Sequence, residues 1–234
     1  PSYEELAFGS EKDNIFIFAD DEEWGYMDLK EEVLIRPKYE FASQFFTDFK
    51  LALVYLDGEY GAIDKNGDYI FRPKFILYQG FTDSGYTGAA IADDSDQEWG
   101  VINTEGEFVI EPEYENFVYV CDNDLVRIED DDEFGFVDLD NEEVIDFQFS
   151  DASCFVDGYA VVADDDYKYG VINEKGEYVI EPRYEFINSF HENGIFLYTD
   201  DDEYGFVSIK DGVILRANYE DAYDFSNGLA AVLD

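Results

Sequence analysis

Trp99-Gly100-Val101-Ile102-Asn103-Thr104-Glu105-Gly106-Glu107-Phe108-Val109-Ile110-Glu111-Pro112-Glu113-Tyr114 and Tyr169-Gly170-Val171-Ile172-Asn173-Glu174-Lys175-Gly176-Glu177-Tyr178-Val179-Ile180-Glu181-Pro182-Arg183-Tyr184 are two versions of one phrase. Each opens on an aromatic-Gly pair, carries a second Gly six places later and closes on Pro-x-Tyr. The opening pair recurs at Trp24-Gly25, Tyr60-Gly61, Trp99-Gly100, Phe134-Gly135, Tyr169-Gly170 and Tyr204-Gly205, with 36, 39, 35, 35 and 35 residues between successive glycines. Twelve positions after each Gly stand Pro37, Pro73, Pro112, Phe147, Pro182 and Ala217; two further on, Tyr39, Phe75, Tyr114, Phe149, Tyr184 and Tyr219 are aromatic every time. A fixed period of this length marks a tandem array, here of six modules.

Each module reads as three short strands. The first is apolar, as in Leu51-Ala52-Leu53-Val54 and Tyr159-Ala160-Val161-Val162; the second follows the aromatic-Gly pair; the third ends at Pro or its replacement. Runs of four to six β-branched and aromatic residues bounded by Gly, Asn and Asp are strand signals. Proline at a strand end fits its missing N–H. Gly67, Gly106, Asn141, Gly176 and Gly212 lie where a hairpin turn needs positive φ. Gly after the aromatic permits close approach of another backbone, and the aromatic covers the bare chain, a packing role for Trp24 and Trp99 rather than a sugar-binding one.

The repeat resembles the WG-repeat proteins, a largely bacterial family whose modules read W-G-[YF]-I-[DN]-x-x-G-x-x-V-I-x-P-x-Y and then F-x-x-G-x-A-x-V. Residues 99–114 and 169–184 follow the first half, and Phe225-Ser226-Asn227-Gly228-Leu229-Ala230-Ala231-Val232 the second. The resemblance covers essentially residues 1–234 as a single array. It implies a β-rich interaction scaffold with no shared catalytic residues. Two departures are the acidity and the loss of Pro at Phe147 and Ala217, whose modules are expected to bend differently. The fold expected is an all-β, open, twisted, solenoid-like array, with a closed propeller-like ring as the alternative. Three strands per module fall short of the four of a propeller blade, and neither chain end supplies a strand that the other lacks.

The 234 residues hold 58 acids, 14 bases and 1 His, a net charge of −44, with 46% hydrophobic and 18% aromatic residues. Such a charge suggests disorder, but disordered chains lack aromatics and β-branched residues. Nucleic acid and anionic lipid require basic patches, so direct binding to either is excluded. No apolar run approaches the roughly 20 residues of a membrane span, and Pro1-Ser2-Tyr3-Glu4-Glu5 lacks the basic and apolar regions of a signal peptide. A start at Pro rather than Met leaves the compartment open. Cys121 and Cys154 fall in neighbouring modules, so one bridge is geometrically open; two buried thiols in a reducing compartment are the expectation.

Acidic runs keep phase with the repeat: Asp20, Asp21, Glu22 and Glu23; Asp93, Asp94, Asp96 and Glu98; Glu129, Asp130, Asp131, Asp132 and Glu133; Asp164, Asp165 and Asp166; Asp200, Asp201, Asp202 and Glu203. A shorter equivalent is Asp57-Gly58-Glu59. All lie between the first strand and the aromatic-Gly strand. Like charges about 5 Å apart repel by roughly 1 kcal/mol even in water, a cost with no structural return if any polar turn would serve. Stacked in register, the runs form one anionic ridge, read either as a solvated edge that keeps the array soluble or as a docking surface for a basic protein.

Catalysis has little support. No G-x-S-x-G elbow, H-E-x-x-H or G-x-x-x-x-G-K-[ST] loop occurs, and His191 lies in a turn-like segment expected at the surface. No cofactor is indicated. Weak Ca²⁺ binding is conceivable at Asp64-Lys65-Asn66-Gly67-Asp68 or Glu129–Glu133, but neither has EF-hand spacing. The leading expectation is a non-enzymatic acidic scaffold that binds a basic protein, as an inhibitor, an immunity-type protein or a polyanion mimic. The alternative is a secreted or cell-surface repeat binding Ca²⁺ or glycans. End-to-end joining of open arrays would give homo-oligomers.

Overall fold

The computed structural model describes residues 5–10, 14–46, 48–77, 79–92 and 97–233. Among them every regular element is a β-strand, and no helix is long and apolar enough to cross a membrane. The chain divides into two compact units, Pro1–Glu115 and Asn116–Asp234.

In the first unit, β1 (Glu5–Ser10), β2 (Ile15–Asp20), β3 (Glu23–Asp28) and β4 (Val33–Tyr39) pair antiparallel in chain order. The next strands are β5 (Phe41–Ala42), β6 (Ala52–Leu56), β7 (Glu59–Ile63), β8 (Tyr69–Leu77), β9 (Tyr86–Ile91), β10 (Trp99–Asn103) and β11 (Phe108–Tyr114). Strand β8 runs on past Phe75 and pairs with β9 through Phe75↔Ile91 and Leu77↔Ala89. The second and third modules therefore share one seven-stranded sheet.

In the second unit, three four-stranded sheets follow one another. The first contains β12 (Tyr119–Val120), β13 (Val126–Asp130), β14 (Glu133–Val137) and β15 (Glu143–Phe149). The next contains β16 (Asp151–Ala152), β17 (Tyr159–Ala163), β18 (Tyr169–Asn173) and β19 (Tyr178–Tyr184). The third contains β20 (Phe186–Glu192), β21 (Ile195–Asp200), β22 (Glu203–Ser208) and β23 (Gly212–Tyr219), after which β24 (Asp221–Ala222) pairs with β25 (Val232–Leu233). The fold is an all-β tandem repeat of open antiparallel sheets. To the three strands read from the sequence, each module adds one more, from the segment following the preceding third strand. Strand number alone thus does not separate these modules from a four-stranded propeller blade.

The apolar first strands face two cores at once. Ala52 and Val54 join Tyr26, Ile35 and Tyr39 of the preceding module, while Leu53 between them joins Phe71, Ala89 and Ile102 towards the following one. Ala160 and Val162 likewise meet Phe136, Ile145 and Phe149, and Val161 meets Phe196 and Val207. Alternate residues of a strand point to opposite faces. A strand buried on both faces reads as a continuous apolar run, which is why these segments do not alternate with polar residues. Stability is thereby shared between neighbouring modules.

The aromatic-Gly strand explains the next constraint. Tyr169 pairs with Tyr184 and Val171 with Ile180, so two steps along β18 answer four along β19, and the excess arches around Pro182. The arch passes over Gly170, where an added Cβ would lie 2.6 Å from the Ile180 carbonyl oxygen. At Gly25 the corresponding oxygen is that of Ile35, also at 2.6 Å, and at Gly100 it is that of Ile110. The glycine is thus required by steric closeness of its own module's third strand. Trp24, Phe134, Tyr169 and Tyr204 pack against the cores, and Trp99 is buried, which agrees with their packing role.

Loss of Pro does not change the bend, contrary to expectation. Phe134↔Phe149 and Phe136↔Ile145, and Tyr204↔Tyr219 and Phe206↔Leu215, keep the same two-against-four register. In the fourth module the Phe147 ring lies over Gly135. In the sixth, Ala217 has an N–H that Pro would lack, and that N–H donates to the Tyr198 hydroxyl at 3.0 Å. The hydroxyl also faces the Leu215 carbonyl oxygen at 3.4 Å. The residues paired with Gly25, Gly61, Gly135 and Gly170 on the first strand are Phe18, Val54, Ile128 and Val162, none with a hydroxyl.

Cys121 and Cys154 form a disulfide with Cα atoms 5.4 Å apart, correcting the expectation of two free thiols. It ties the fourth module to the fifth inside their shared core. The expectation failed because spacing in the chain does not reveal that both cysteines enter the same inter-module layer.

Three outcomes follow from this packing. Gly170→Ala is expected to lower the urea midpoint by an amount equivalent to roughly 2–3 kcal/mol. Tyr198→Phe should cost about 1–3 kcal/mol by orphaning the Ala217 N–H, and clearly less in an Ala217→Pro background; equal costs in the two backgrounds would deny the pairing. Reducing the bridge, which closes a 33-residue separation, should cost about 3–4 kcal/mol in the same urea titration.

Candidate functional site: the acidic hairpin turns

In the first, second, fourth and sixth modules the first hairpin has a two-residue turn with both residues at positive φ. These are Asp21 (51°) and Glu22 (65°), Asp57 (54°) and Gly58 (88°), Asp131 (49°) and Asp132 (66°), and Asp201 (53°) and Asp202 (63°). This is the geometry of a type I′ turn, whose twist matches that of the strands and which prefers Asn, Asp and Gly. The acids therefore have part of a structural reason, and the expectation that any polar residue would serve is corrected. Asn would meet the same dihedral demand without charge, so the charge itself is not explained by the turn.

Each predicted run that lies in the described residues occupies this hairpin or its flanks. Asp20, Asp21, Glu22 and Glu23 join β2 to β3; Glu129, Asp130, Asp131, Asp132 and Glu133 join β13 to β14; Asp200, Asp201, Asp202 and Glu203 join β21 to β22. All are exposed except Glu129, which is half-buried. Asp165 and Asp166 are exposed in a longer loop before β18, where Tyr167 is 67% exposed and adopts φ 54°. Asp164 differs, since its Oδ1 accepts the backbone N–H groups of Asp166 and Lys168 at 3.0 and 2.9 Å. Glu98 is exposed just before β10, while Asp93, Asp94 and Asp96 lie outside the described residues. Among the described residues, the side chains of these runs other than Asp164 make no hydrogen bond or ion pair.

The second hairpin uses its acids differently. Asp64 Oδ1 accepts the N–H groups of Asn66 and Asp68 at 2.8 and 2.9 Å, and Oδ2 accepts Asn66 Nδ2–H at 3.0 Å. Slight desolvation pushes this carboxyl up, but those donors outweigh it and hold it below its usual range. Asp28, Asn103, Asp138 and Asn173 cap their turns in the same way. The Asp64 turn, considered above for Ca²⁺, is thus built around a carboxylate already engaged by its own backbone. Among the described residues no three His, Cys, Asp or Glu side chains gather as a metal-ligand set.

His191 is partly exposed and also takes part in packing. Its Nδ1 accepts the Gly194 N–H at 3.3 Å, so Nε2–H donates to the Val156 carbonyl at 2.9 Å, and the ring lies 4.6 Å from that of Phe196. Sequence reasoning passed over the cations. Lys38, Lys74 and Arg183 stand one place after the conserved-phase prolines and lie over the rings of the next residues, Tyr39, Phe75 and Tyr184, at 4.9, 4.5 and 4.9 Å. The signal was present as the recurring Pro-basic-aromatic triplet.

Comparison with curated protein sequences gave no significant match. Among solved structures, a crystal structure of the eukaryotic initiation factor is similar over 87% of this chain at 14% identity, with a TM-score of 0.58. The chain spans only 62% of that structure's length. Kluyveromyces lactis Hsv2p is similar over 88% of this chain and 74% of its own at 8% identity, with a TM-score of 0.51. At such identities the likeness concerns the fold alone. The model of the WG containing repeat family matches residues 24–60, 99–133, 134–167, 169–203 and 204–233. It passes over the module opened by Tyr60, which nevertheless has the common register, Tyr60↔Phe75 and Ala62↔Phe71. With five matches taking in most of its length, on a β-repeat built around the aromatic-Gly pair, the chain belongs to the WG containing repeat family.

Proposed function

We propose that this chain is a non-enzymatic recognition scaffold whose acidic first-hairpin turns dock a basic protein. The observation that carries the reading is the set of exposed carboxylates at equivalent turns, Asp21 and Glu22, Asp131 and Asp132, Asp201 and Asp202, none of them neutralised by a described cation. A net charge of −44 goes well beyond the magnitude of roughly 2–8 that solubility asks of a small domain. A field of this size speeds encounter with a cationic partner and weakens as salt rises. Membership of a repeat family supports a surface that recognises rather than a pocket that catalyses. The Cys121–Cys154 bridge favours a location outside a reducing cytosol, where disulfides persist.

The test separates local charge from total charge. One variant carries Asp131→Asn, Asp132→Asn, Asp201→Asn and Asp202→Asn, which keep residues suited to positive φ. A control removes four charges elsewhere by Glu105→Gln, Glu107→Gln, Glu142→Gln and Glu143→Gln. Stopped-flow association with cytochrome c as the basic probe should slow several-fold at low salt for the turn variant and distinctly less for the control. Thermal midpoints of the turn variant should be equal or higher. Equal slowing in the two variants would mean that bulk charge, not the turns, drives the encounter.

A further inference from the structure

In this acidic chain, one cavity is lined by two arginines. It has a volume of about 380 Å³ and lies in the second unit, between the fifth and sixth modules. Arg183 and Tyr184 come from the end of β19, Tyr198 and Asp200 from β21, and Val213 and Arg216 from β23. Both arginines sit on third-strand arches, the segments displaced outward where two residues of one strand answer four of the next. The steric demand at Gly170 and Gly205 thus also projects these side chains.

The two guanidinium groups are prepared differently. Arg183 is held over the Tyr184 ring at 4.9 Å and its Nη2–H donates to the Tyr184 hydroxyl at 2.6 Å, which fixes its plane and leaves further N–H donors. Arg216 is exposed and forms no hydrogen bond or ion pair with any described residue, in a chain with 58 acids. The Tyr184 and Tyr198 side chains are buried to 4% exposure. The Tyr198 hydroxyl is engaged by the Ala217 N–H, so Tyr198 offers the cavity its ring rather than a free donor. Val213 adds a hydrocarbon surface. The lining holds one carboxylate, Asp200, against two guanidinium groups, so it is locally cationic.

We infer that the cavity lined by Arg183 and Arg216 binds the carboxylate of a small organic acid whose hydrocarbon part lies against Tyr184 and Val213. Guanidinium forks match planar carboxylates and strengthen such hydrogen bonds through charge. A cavity of this volume falls in the size range of small-ligand sites, roughly 300–1,000 Å³. The surrounding field selects for low charge: every additional negative charge on a ligand must be brought into the potential of the whole acidic chain. A compact phosphate dianion is penalised on that count and gains nothing from the apolar wall.

The test uses 4-fluorobenzoate as the probe on the full chain, read by ¹⁹F NMR line broadening. Broadening at millimolar protein or below, reversed by benzoate but not by neutral benzamide, is expected. Arg216→Gln should weaken binding by about tenfold or more, the loss of one charge-assisted contact, and Arg183→Gln similarly. Lys210→Gln, on the turn before β23, makes the same charge change and should leave binding unaltered. Thermal midpoints of the Arg216→Gln protein should match the parent, because the side chain is exposed, and Arg216→Lys should restore part of the affinity. The inference is overturned by an absence of broadening, by displacement with benzamide as effective as with benzoate, by stronger displacement with inorganic phosphate, or by an Arg216→Gln variant that binds unchanged.

Discussion

The close crossing of the third strand over the aromatic-Gly strand is the contact on which the rest of each module depends. It forces Gly at one position, places the aromatic beside it against the core, and displaces the next two or three residues outward. The same crossing is made with Pro182 in place and with Phe147 or Ala217 instead. Proline is therefore one way to satisfy an arch whose shape the backbone register imposes. Where Ala217 restores an N–H, Tyr198 accepts its hydrogen bond. A buried donor without an acceptor would cost about as much as a lost side chain contact in the core.

The acids divide into two populations with different physics. Those of the second hairpin, such as Asp64 and Asp138, accept backbone N–H groups and belong to the folding of the turn. The central acids of the first hairpins, Asp21, Glu22, Asp57, Asp131, Asp132, Asp201 and Asp202, occupy left-handed positions, and their carboxylates form no hydrogen bond or ion pair with a described residue. Their repulsion is an expense that the turn does not require. A module could be built with Asn-Gly in such a place, and the retention of charge in the four described turns of this kind motivates a partner of opposite sign. The cations are treated in the reverse manner. Lys38, Lys74 and Arg183 lie over aromatic rings, where the ring face attracts the cation.

Much of this architecture is legible in the chain because the repeat is measured against itself. Six aromatic-Gly pairs at nearly constant spacing, and apolar runs bounded by turn residues, are local signals. Local signals suffice for strands and hairpins, whose partners are a few residues away. The short fourth strands escaped notice because two residues such as Asp151-Ala152 carry no periodicity. Their pairing is settled by the register of the strand that follows. The contact of His191 with Val156 is hidden for the same reason, since the partner lies 35 residues earlier. The basic triplets were visible but stayed unread beside so many acids.

What the amino-acid sequence determines unaided is the module: its length, its strand signals, its turn chemistry and the phase of its charges, all set by neighbours within a few residues. What only the tertiary structure decides is which modules share a residue. Ala52 and Leu53 are adjacent yet serve different cores. Cys121 and Cys154 belong to different modules yet meet in one. Arg183 and Arg216 flank a single cavity from separate sheets. Each of these depends on how a strand's two faces are apportioned between its neighbours, and that is a property of stacking, with no counterpart in the local pattern.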